Sequence, residues 1–477
     1  MPAPERRDSD AMIPLLPRTS ATRIPLTRSQ FRLWKLIKGG RHSVRTLAAG
    51  TRACGPLSVE HLEASASAVV SRHESLRSRL DIQNGTPMQI IDAPLPVVLQ
   101  RLDLSHLPLS EAQSTARSAA NQLVTDPIDL CVGPLFTMFL IKLAPDDHVL
   151  VLAADHLFSD ARSLEIVNQE LWTAYRQLAR NQPVCLPPLR VQFADYALWQ
   201  HALYPRWERL HAGYWREKLM TAPPMHIPAD FQPATDDDRT DAMAYVPFGK
   251  QLSADLRAVA EREHIRVPLV LLALHACTMA RWCRQNDVLL LFVTHGRQQD
   301  PALATMVGLL ATALHFRLQI REHDSLLDLL MQVREEFDTS FERYDFDWAS
   351  ELVPGARTDV CFNWISTPPS SGKTRPPETG AESPRLQQFQ LGMAWRGKFW
   401  PFFTDTPAGL NVRIAYRSNL LAASTIERFG RHLRAYARGL VAWPHAPIGS
   451  LAIDVSDDTR TAAIASSPIV DPSALIR

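Results

Sequence analysis

Residues 148–161 read His148-Val149-Leu150-Val151-Leu152-Ala153-Ala154-Asp155-His156-Leu157-Phe158-Ser159-Asp160-Ala161. The first eight form a nearly continuous apolar run, the pattern of a strand buried on both faces. A short loop follows, and then Ser163 to Ala179 carries Leu164, Val167, Leu171, Ala174, Tyr175 and Leu178 at three-four spacing. That spacing predicts an amphipathic helix, with Asp160 or Ser163 placed to cap its N-terminus. A residue at a strand end projects from a rigid frame into a crevice, a usual place for a catalytic group. A histidine there accepts a proton near neutral pH, because its reference pKa is about 6.5. Taken alone, such a histidine is as often a hydrogen-bonded structural residue, and an aspartate at Asp160 is more often a plain helix cap.

Outward from this stretch, strands and helices alternate in two blocks, about Ile24 to Leu219 and Tyr245 to Leu440. In the second, Asp287 to Thr294 (DVLLLFVT) is another buried-strand run, preceded by a helix from Pro268 to Cys283. The class is mixed α/β in two lobes. The reading divides the chain into an N-terminal arm (1–23), an N-terminal lobe (24–220), a linker (221–241), a C-terminal lobe (242–453) and a tail (454–477). Four prolines and the run Asp236 to Asp238 mark the linker, and the arm and tail lack periodicity. Thr367 to Pro384 reads as a mobile loop within the second lobe.

The 51 Lys and Arg against 50 Asp and Glu leave a charge of +1, which excludes a protein built to grip nucleic acid through a broad basic face. With 46% hydrophobic and 21% charged residues, the chain can bury a sizeable core and is not dominated by disorder. Its six cysteines are scattered, without ligand spacing, which points away from zinc or a disulfide scaffold and toward a reducing compartment. The N-terminus has no signal-peptide core, and the apolar stretch Pro268 to Ala280 is shorter than the ~20 residues of a membrane span. A cytoplasmic protein is expected. Phosphate-loop, dinucleotide, serine-elbow and zinc-protease signatures are absent. His73 reads as packing or surface, and Trp395 to Phe403, with five aromatics in nine residues, as core rather than an acyl tunnel. Val360 to Ile365 is either a lobe-bridging strand or an ordinary one.

The ordered series of motifs resembles the condensation domains of nonribosomal peptide synthetases, within the chloramphenicol acetyltransferase-like superfamily. The family's His-His-x-x-x-Asp-Gly reads here as Asp155-His156-x-x-x-Asp160-Ala161. Ser29-Gln30-Phe31-Arg32-Leu33-Trp34 resembles the opening motif, and Arg72-His73-Glu74-Ser75-Leu76-Arg77 the second. Gly133-Pro134-Leu135-Phe136 and Asp147-His148-Val149-Leu150 lead into the core motif. Asp195-Tyr196-Ala197-Leu198-Trp199 and Tyr214-Trp215 precede the crossing, and Val307-Gly308 with Arg317 follows the later motif. The resemblance spans about residues 24 to 440.

It implies a V-shaped pseudo-dimer of two chloramphenicol-acetyltransferase-like lobes around a central tunnel. Acyl donor and acceptor, each usually on a phosphopantetheine arm, would meet at His156, which positions the nucleophile, takes its proton or stabilises developing charge. Asp160 would be structural and paired with Arg317. Asp155 replaces the first histidine and Ala161 the glycine. A residue beside His156 on a strand points the opposite way; if the Asp155 carboxylate came close, it would favour the imidazolium. Ala161 lacks glycine's access to positive φ, so a changed loop geometry is expected. The implied activity is a free-standing, monomeric condensing enzyme forming an amide or ester. It would bind no cofactor or metal of its own, and acyl or peptidyl carrier proteins would be supplied in trans, docking through the terminal arms. No nucleic acid and no membrane is expected as a partner. An acyl-CoA-dependent acyltransferase of the same fold and a silent recruitment domain are the competing readings.

Overall fold

The computed structural model describes residues 14–19, 23–39, 46–125, 128–232, 241–297, 300–343, 353, 356–365, 383–389, 391, 398–451 and 453. In chain order the elements are β1 (Arg23–Pro25), α1 (Arg28–Lys38), β2 (Thr46–Cys54), α2 (Val59–Arg72), β3 (Ser78–Gln83), β4 (Thr86–Ile91), β5 (Gln100–Asp103), α3 (Leu109–Thr125), β6 (Phe136–Ala144), β7 (Asp147–Asp155), α4 (Ala161–Leu178) and α5 (Phe193–Met220). There follow β8 (Asp241–Pro247), α6 (Lys250–Arg262), α7 (Val267–Cys283), β9 (Asp287–Thr294), β10 (Thr312–Gln319), α8 (Leu326–Phe341), β11 (Cys361–Ile365), β12 (Arg385–Phe389), β13 (Phe399–Thr406), β14 (Gly409–Arg417) and α9 (Ala423–Ala442).

Two compact units emerge, and neither is a continuous stretch of chain. The first takes the described residues of 1–208, 295–312 and 369–396; the second takes those of 209–294, 313–368 and 397–477. The contiguous division at 221–241 read from the sequence is therefore not the one the contacts make. Proline and aspartate content marks a loop, but it carries no information about later segments that return to an earlier sheet.

The first unit has a five-stranded sheet in the order β12-β2-β7-β6-β5 and a small antiparallel sheet β1-β4-β3. β7 lies at the centre of the larger sheet, and the apolar run is buried on both faces as its pattern requires. Leu150, Leu152 and Ala154 pack with Leu62, Val69, Leu164, Val167 and Leu171 of α2 and α4. Val149 and Val151 pack on the other side with Ala112, Ala116 and Ala120 of α3. Each valine or leucine side chain fully buried in this way stabilises the fold by roughly 1.5–3 kcal/mol. β7 runs antiparallel to both neighbours, and among the described strands of this unit only β5 and β6 pair in parallel.

The expected arm is not wholly free. Leu15 packs on the first unit's core, and Arg18 pairs with Asp195 at 2.9 Å and Glu74 at 2.8 Å. Arg23 begins β1, which pairs with β4. Residues 1–13, the tail from 454 and nearly all of Thr367 to Pro384 lie outside the described residues.

The second unit carries one six-stranded sheet, β10-β9-β11-β13-β14-β8. β11 lies within it, parallel to β9 and β13, so Val360 to Ile365 contributes an ordinary strand. The aromatic run is core where described: Phe399, Phe402 and Phe403 are buried in β13, while Trp395 lies outside the described residues. α7 is buried through twelve consecutive residues, Leu269 to Ala280, all apolar except His275 and Thr278. Among the described residues no single helix is long and apolar enough to cross a membrane.

Candidate active site

β7 ends at Asp155, the chain turns through 156–160, and α4 begins at Ala161. The turn is pinned around Leu157. Its N–H donates to Asp155 Oδ1 at 2.9 Å, and its carbonyl accepts from Gln30 Nε2 at 2.9 Å. Gln30 is fully buried, and its Oε1 accepts from the Thr27 N–H in the capping box of α1. Leu157 and Phe158 drive the turn into the core, which leaves His156 as the half-exposed member.

His156 Nδ1 lies 2.8 Å from the Ser159 carbonyl. A carbonyl only accepts, so Nδ1 carries the proton, and a neutral ring then holds its lone pair at Nε2. This is the state needed to accept a proton from an attacking amine or hydroxyl. The Asp155 carboxylate is buried and engaged with the Leu157 N–H. It therefore shapes the turn that carries the histidine.

Asp160 is the N-cap of α4, accepting from Ser163 N at 2.8 Å and Ser163 Oγ at 2.7 Å. It also takes the backbone N–H groups of Leu310 and Ala311 at 3.1 and 3.0 Å. The cation that faces it is Arg297, at 2.9 Å to each carboxylate oxygen. Both side chains are 2% exposed. Burial pushes the Asp160 carboxyl up, but the Arg297 charge and the hydrogen bonds from Arg297 and Ser163 outweigh it and hold the pKa below the ordinary value.

The expected Asp160–Arg317 pair does not form. Arg317 lies in the second unit, where its Nε and Nη2 reach Asp287 at 2.9 and 2.6 Å and Nη1 reaches the Lys218 carbonyl at 2.7 Å. It fastens the end of α5 to the start of β9. Arg297 escapes sequence reading because it falls in none of the recognised motifs. Its signal is positional: it lies three residues past the buried strand β9, as His156 lies one residue past β7.

Two glycines let this buried pair assemble. Gly296 has φ +69°, and a Cβ there would come 1.9 Å from the Leu310 carbonyl oxygen. A Cβ on Gly308 would come 2.2 Å from the Phe193 ring. Ser163, expected from the sequence only as a cap, accepts from the Gly308 N–H at 3.0 Å and ties α4 to the same segment. Ala161 opens α4 as its first helical residue and is not among the residues at positive φ. Alanine therefore satisfies the backbone there, and the expected disturbance from losing glycine does not arise. His73, expected as packing or surface, is buried and its Nε2 lies 2.7 Å from Glu170, a hydrogen-bonded structural role rather than apolar packing. Among the described residues no group of three metal-ligating side chains is present.

Comparison with known proteins fits this geometry. Phosphinothricin tripeptide synthetase PhsC of Streptomyces viridochromogenes is 28% identical over 466 residues, covering 94% of this chain; the chain spans 42% of that protein's length. Chondramide synthase cmdD of Chondromyces crocatus is 25% identical over 474 residues, covering 95% of this chain, which spans 12% of it. Two solved structures superpose over nearly all of the chain. One is the complex of the X-domain and OxyB from teicoplanin biosynthesis, at TM-score 0.80 and 20% identity, covering 94% of this chain and 100% of the other. The second is a mutant of the starter condensation domain of rhizomide synthetase RzmA in complex with C8-CoA, at TM-score 0.73 and 18% identity, covering 91% and 98%. The fold is thus mixed α/β of the chloramphenicol-acetyltransferase type. A histidine just past the end of a buried strand, an aspartate cap and a family model for the condensation domain matching residues 20–463 lead to one conclusion: the chain belongs to the condensation-domain family of nonribosomal peptide biosynthesis.

Proposed function

We propose that the chain joins a carrier-tethered acyl thioester to an amine or hydroxyl acceptor, with the carriers supplied in trans and His156 at the reacting centre. The observation that carries this reading is the 2.8 Å contact of His156 Nδ1 with the Ser159 carbonyl, which in a neutral half-buried ring leaves the lone pair at Nε2. The acceptor's nitrogen or oxygen forms a bond to the thioester carbonyl carbon, and the carbon–sulfur bond breaks. The acceptor's proton passes to Nε2 and then to the departing thiolate, giving an amide or ester and a free thiol. Positioning, proton acceptance and charge stabilisation are all open to His156. General base assistance of this kind contributes about 10²–10⁴-fold. Phosphopantetheine would enter as part of the substrate, and the enzyme's own residues need no bound cofactor for these steps.

Two observations favour alternatives. The rhizomide starter domain is described with C8-CoA, which supports an acyl-CoA donor. Asp155 in the first-histidine position and the likeness to the X-domain described with OxyB support recruitment of a protein partner without transfer.

The test is an intact-mass assay with a separately supplied acyl-loaded carrier and a panel of amines and alcohols, comparing wild type with His156→Ala. Transfer abolished by the substitution supports the proposal, and the productive acceptor decides amide or ester. Turnover of acyl-CoA alone replaces it with the second reading. Carrier binding without transfer from either donor overturns catalysis in favour of recruitment.

A further inference from the structure

At the start of α1, Gln30 holds the third helical position of a capping box. Its Oε1 accepts from the Thr27 N–H at 2.9 Å, and its own N–H donates to Thr27 Oγ1 at 3.2 Å. Glutamate would close that box equally well, and a negative charge in the first turn would also favour the helix dipole. α1 nevertheless has no acidic residue in its first turn, although it carries Arg28, Arg32, Lys35 and Lys38. The side chain has a second task that a carboxylate cannot perform. Its Nε2 donates to the Leu157 carbonyl at 2.9 Å, and an ionised carboxylate has no proton to offer that acceptor.

This bond falls inside the loop that anchors the histidine. The His156 ring is held through Nδ1 by the Ser159 carbonyl at 2.8 Å, three residues further along the chain. The first half of that span is closed from within the turn. The Leu157 N–H reaches Asp155 Oδ1 at 2.9 Å, and the Phe158 N–H reaches the Asp155 carbonyl at 3.1 Å. The Leu157 carbonyl is held instead from another element, by Gln30. That amide is fully buried. One turn further along α1, Leu33 and Trp34 pack in the same cluster as Leu157 and Phe158, so bond and packing together seat the turn on α1.

We infer that Gln30 is a positioning residue for His156: by fixing the Leu157 carbonyl it sets the direction of the Ser159 carbonyl, and with it which ring nitrogen carries the proton. Without this donor the turn relaxes and the Nδ1 contact lengthens, and a hydrogen bond weakens steeply once its geometry leaves the optimum. The ring can then carry its proton at Nε2, which presents a donor where the lone pair stood. The consequence for turnover rests on the transfer reaction proposed above. The positioning itself does not.

The experiment records the imidazole nitrogens of the full chain, isotope-labelled at histidine, by long-range proton–nitrogen correlation above the ordinary imidazole pKa of about 6.5. His156 is identified by the signals missing from His156→Ala. Gln30→Glu keeps the capping acceptor and removes the donor. It is expected to move His156 from the Nδ1-protonated pattern toward a mixture of the two tautomers. It should also lower kcat for transfer about 10–10²-fold, with KM nearly unchanged. Gln30→Met, neutral and of similar length, gives the same reading where the buried carboxylate prevents folding. Ser58→Ala removes the N-cap of α2 elsewhere in the first unit; it should lower the urea midpoint and leave the His156 pattern and kcat as they are. An unchanged His156 pattern in folded Gln30→Glu or Gln30→Met overturns the inference, as does an equal change in Ser58→Ala. A shifted pattern in a chain whose wild type transfers nothing supports the positioning and overturns the transfer reading alone.

Discussion

At the scale of single residues, His156 and Asp160 sit four positions apart and should fail in opposite ways. His156→Ala removes a half-buried ring and its bond to the Ser159 carbonyl from a turn that Asp155 and Gln30 also hold. It is expected to lower transfer by about 10²–10⁴-fold while costing no more stability than the single hydrogen bond to Ser159, about 0.5–1.5 kcal/mol. Asp160→Ala leaves Arg297 buried without its anion, a loss of about 3–5 kcal/mol, visible in urea unfolding before any assay. Asp155 separates shape from charge. Asp155→Asn keeps an oxygen for the Leu157 N–H and should unfold close to wild type. Asp155→Ala leaves that buried N–H unsatisfied, at about 1–3 kcal/mol. If Asn and Ala destabilise equally, the turn-shaping role is wrong.

The elements are where sequence reading succeeded and where it stopped. β7, α4, α7 and β9 were legible because each is written locally: an unbroken apolar run for a strand buried on both sides, a three-four repeat for a helix. The catalytic candidate followed from the same local logic at the end of β7. The partner of Asp160 did not, because Arg297 and Arg317 are both arginines in the second half of the chain and only packing distinguishes them. What places Arg297 is the bend at Gly296 and the close approach at Gly308, which are properties of backbone geometry. A double-mutant cycle reads this directly. Asp160→Ala with Arg297→Met should show coupling of up to about 3 kcal/mol, whereas Asp160→Ala with Arg317→Met should be additive within about 0.5 kcal/mol. Gly308→Ala should destabilise through contact with Phe193, and pairing it with Phe193→Leu should recover part of the loss.

For the whole molecule, acid stability should decline in two windows. His275 is fully buried, with Nε2 3.0 Å from the Cys361 carbonyl and aromatic rings of Phe362, Phe403 and Phe429 around it. Burial pushes its pKa down to about 3, so below about 6.5 the unfolded chain binds a proton that the folded chain refuses. Its contribution is complete above about 6.5 and lost progressively as pH falls toward 3. Asp160, also depressed, contributes above the unfolded carboxylate value of about 3.9 and is lost only below it. Urea unfolding between pH 7 and 5 should therefore show a slope reduced by up to one proton in His275→Leu, with Asp160 contributing little until the pH falls below about 5. The partition of the chain also predicts that residues 1–241 expressed alone lack cooperative unfolding, since they retain Asp160 without Arg297 and β2 without β12. A sharp, reversible transition in that fragment would refute this. The same late strand separates the order of synthesis from the order of folding. Between the end of α4 and the end of β12 lie some 210 residues, about 10–40 s of translation at roughly 5–20 residues per second. Through that interval the first sheet waits on the ribosome with one border open, so the nascent chain, more than the finished protein, is where an edge-binding chaperone or a misplaced strand would find its opportunity.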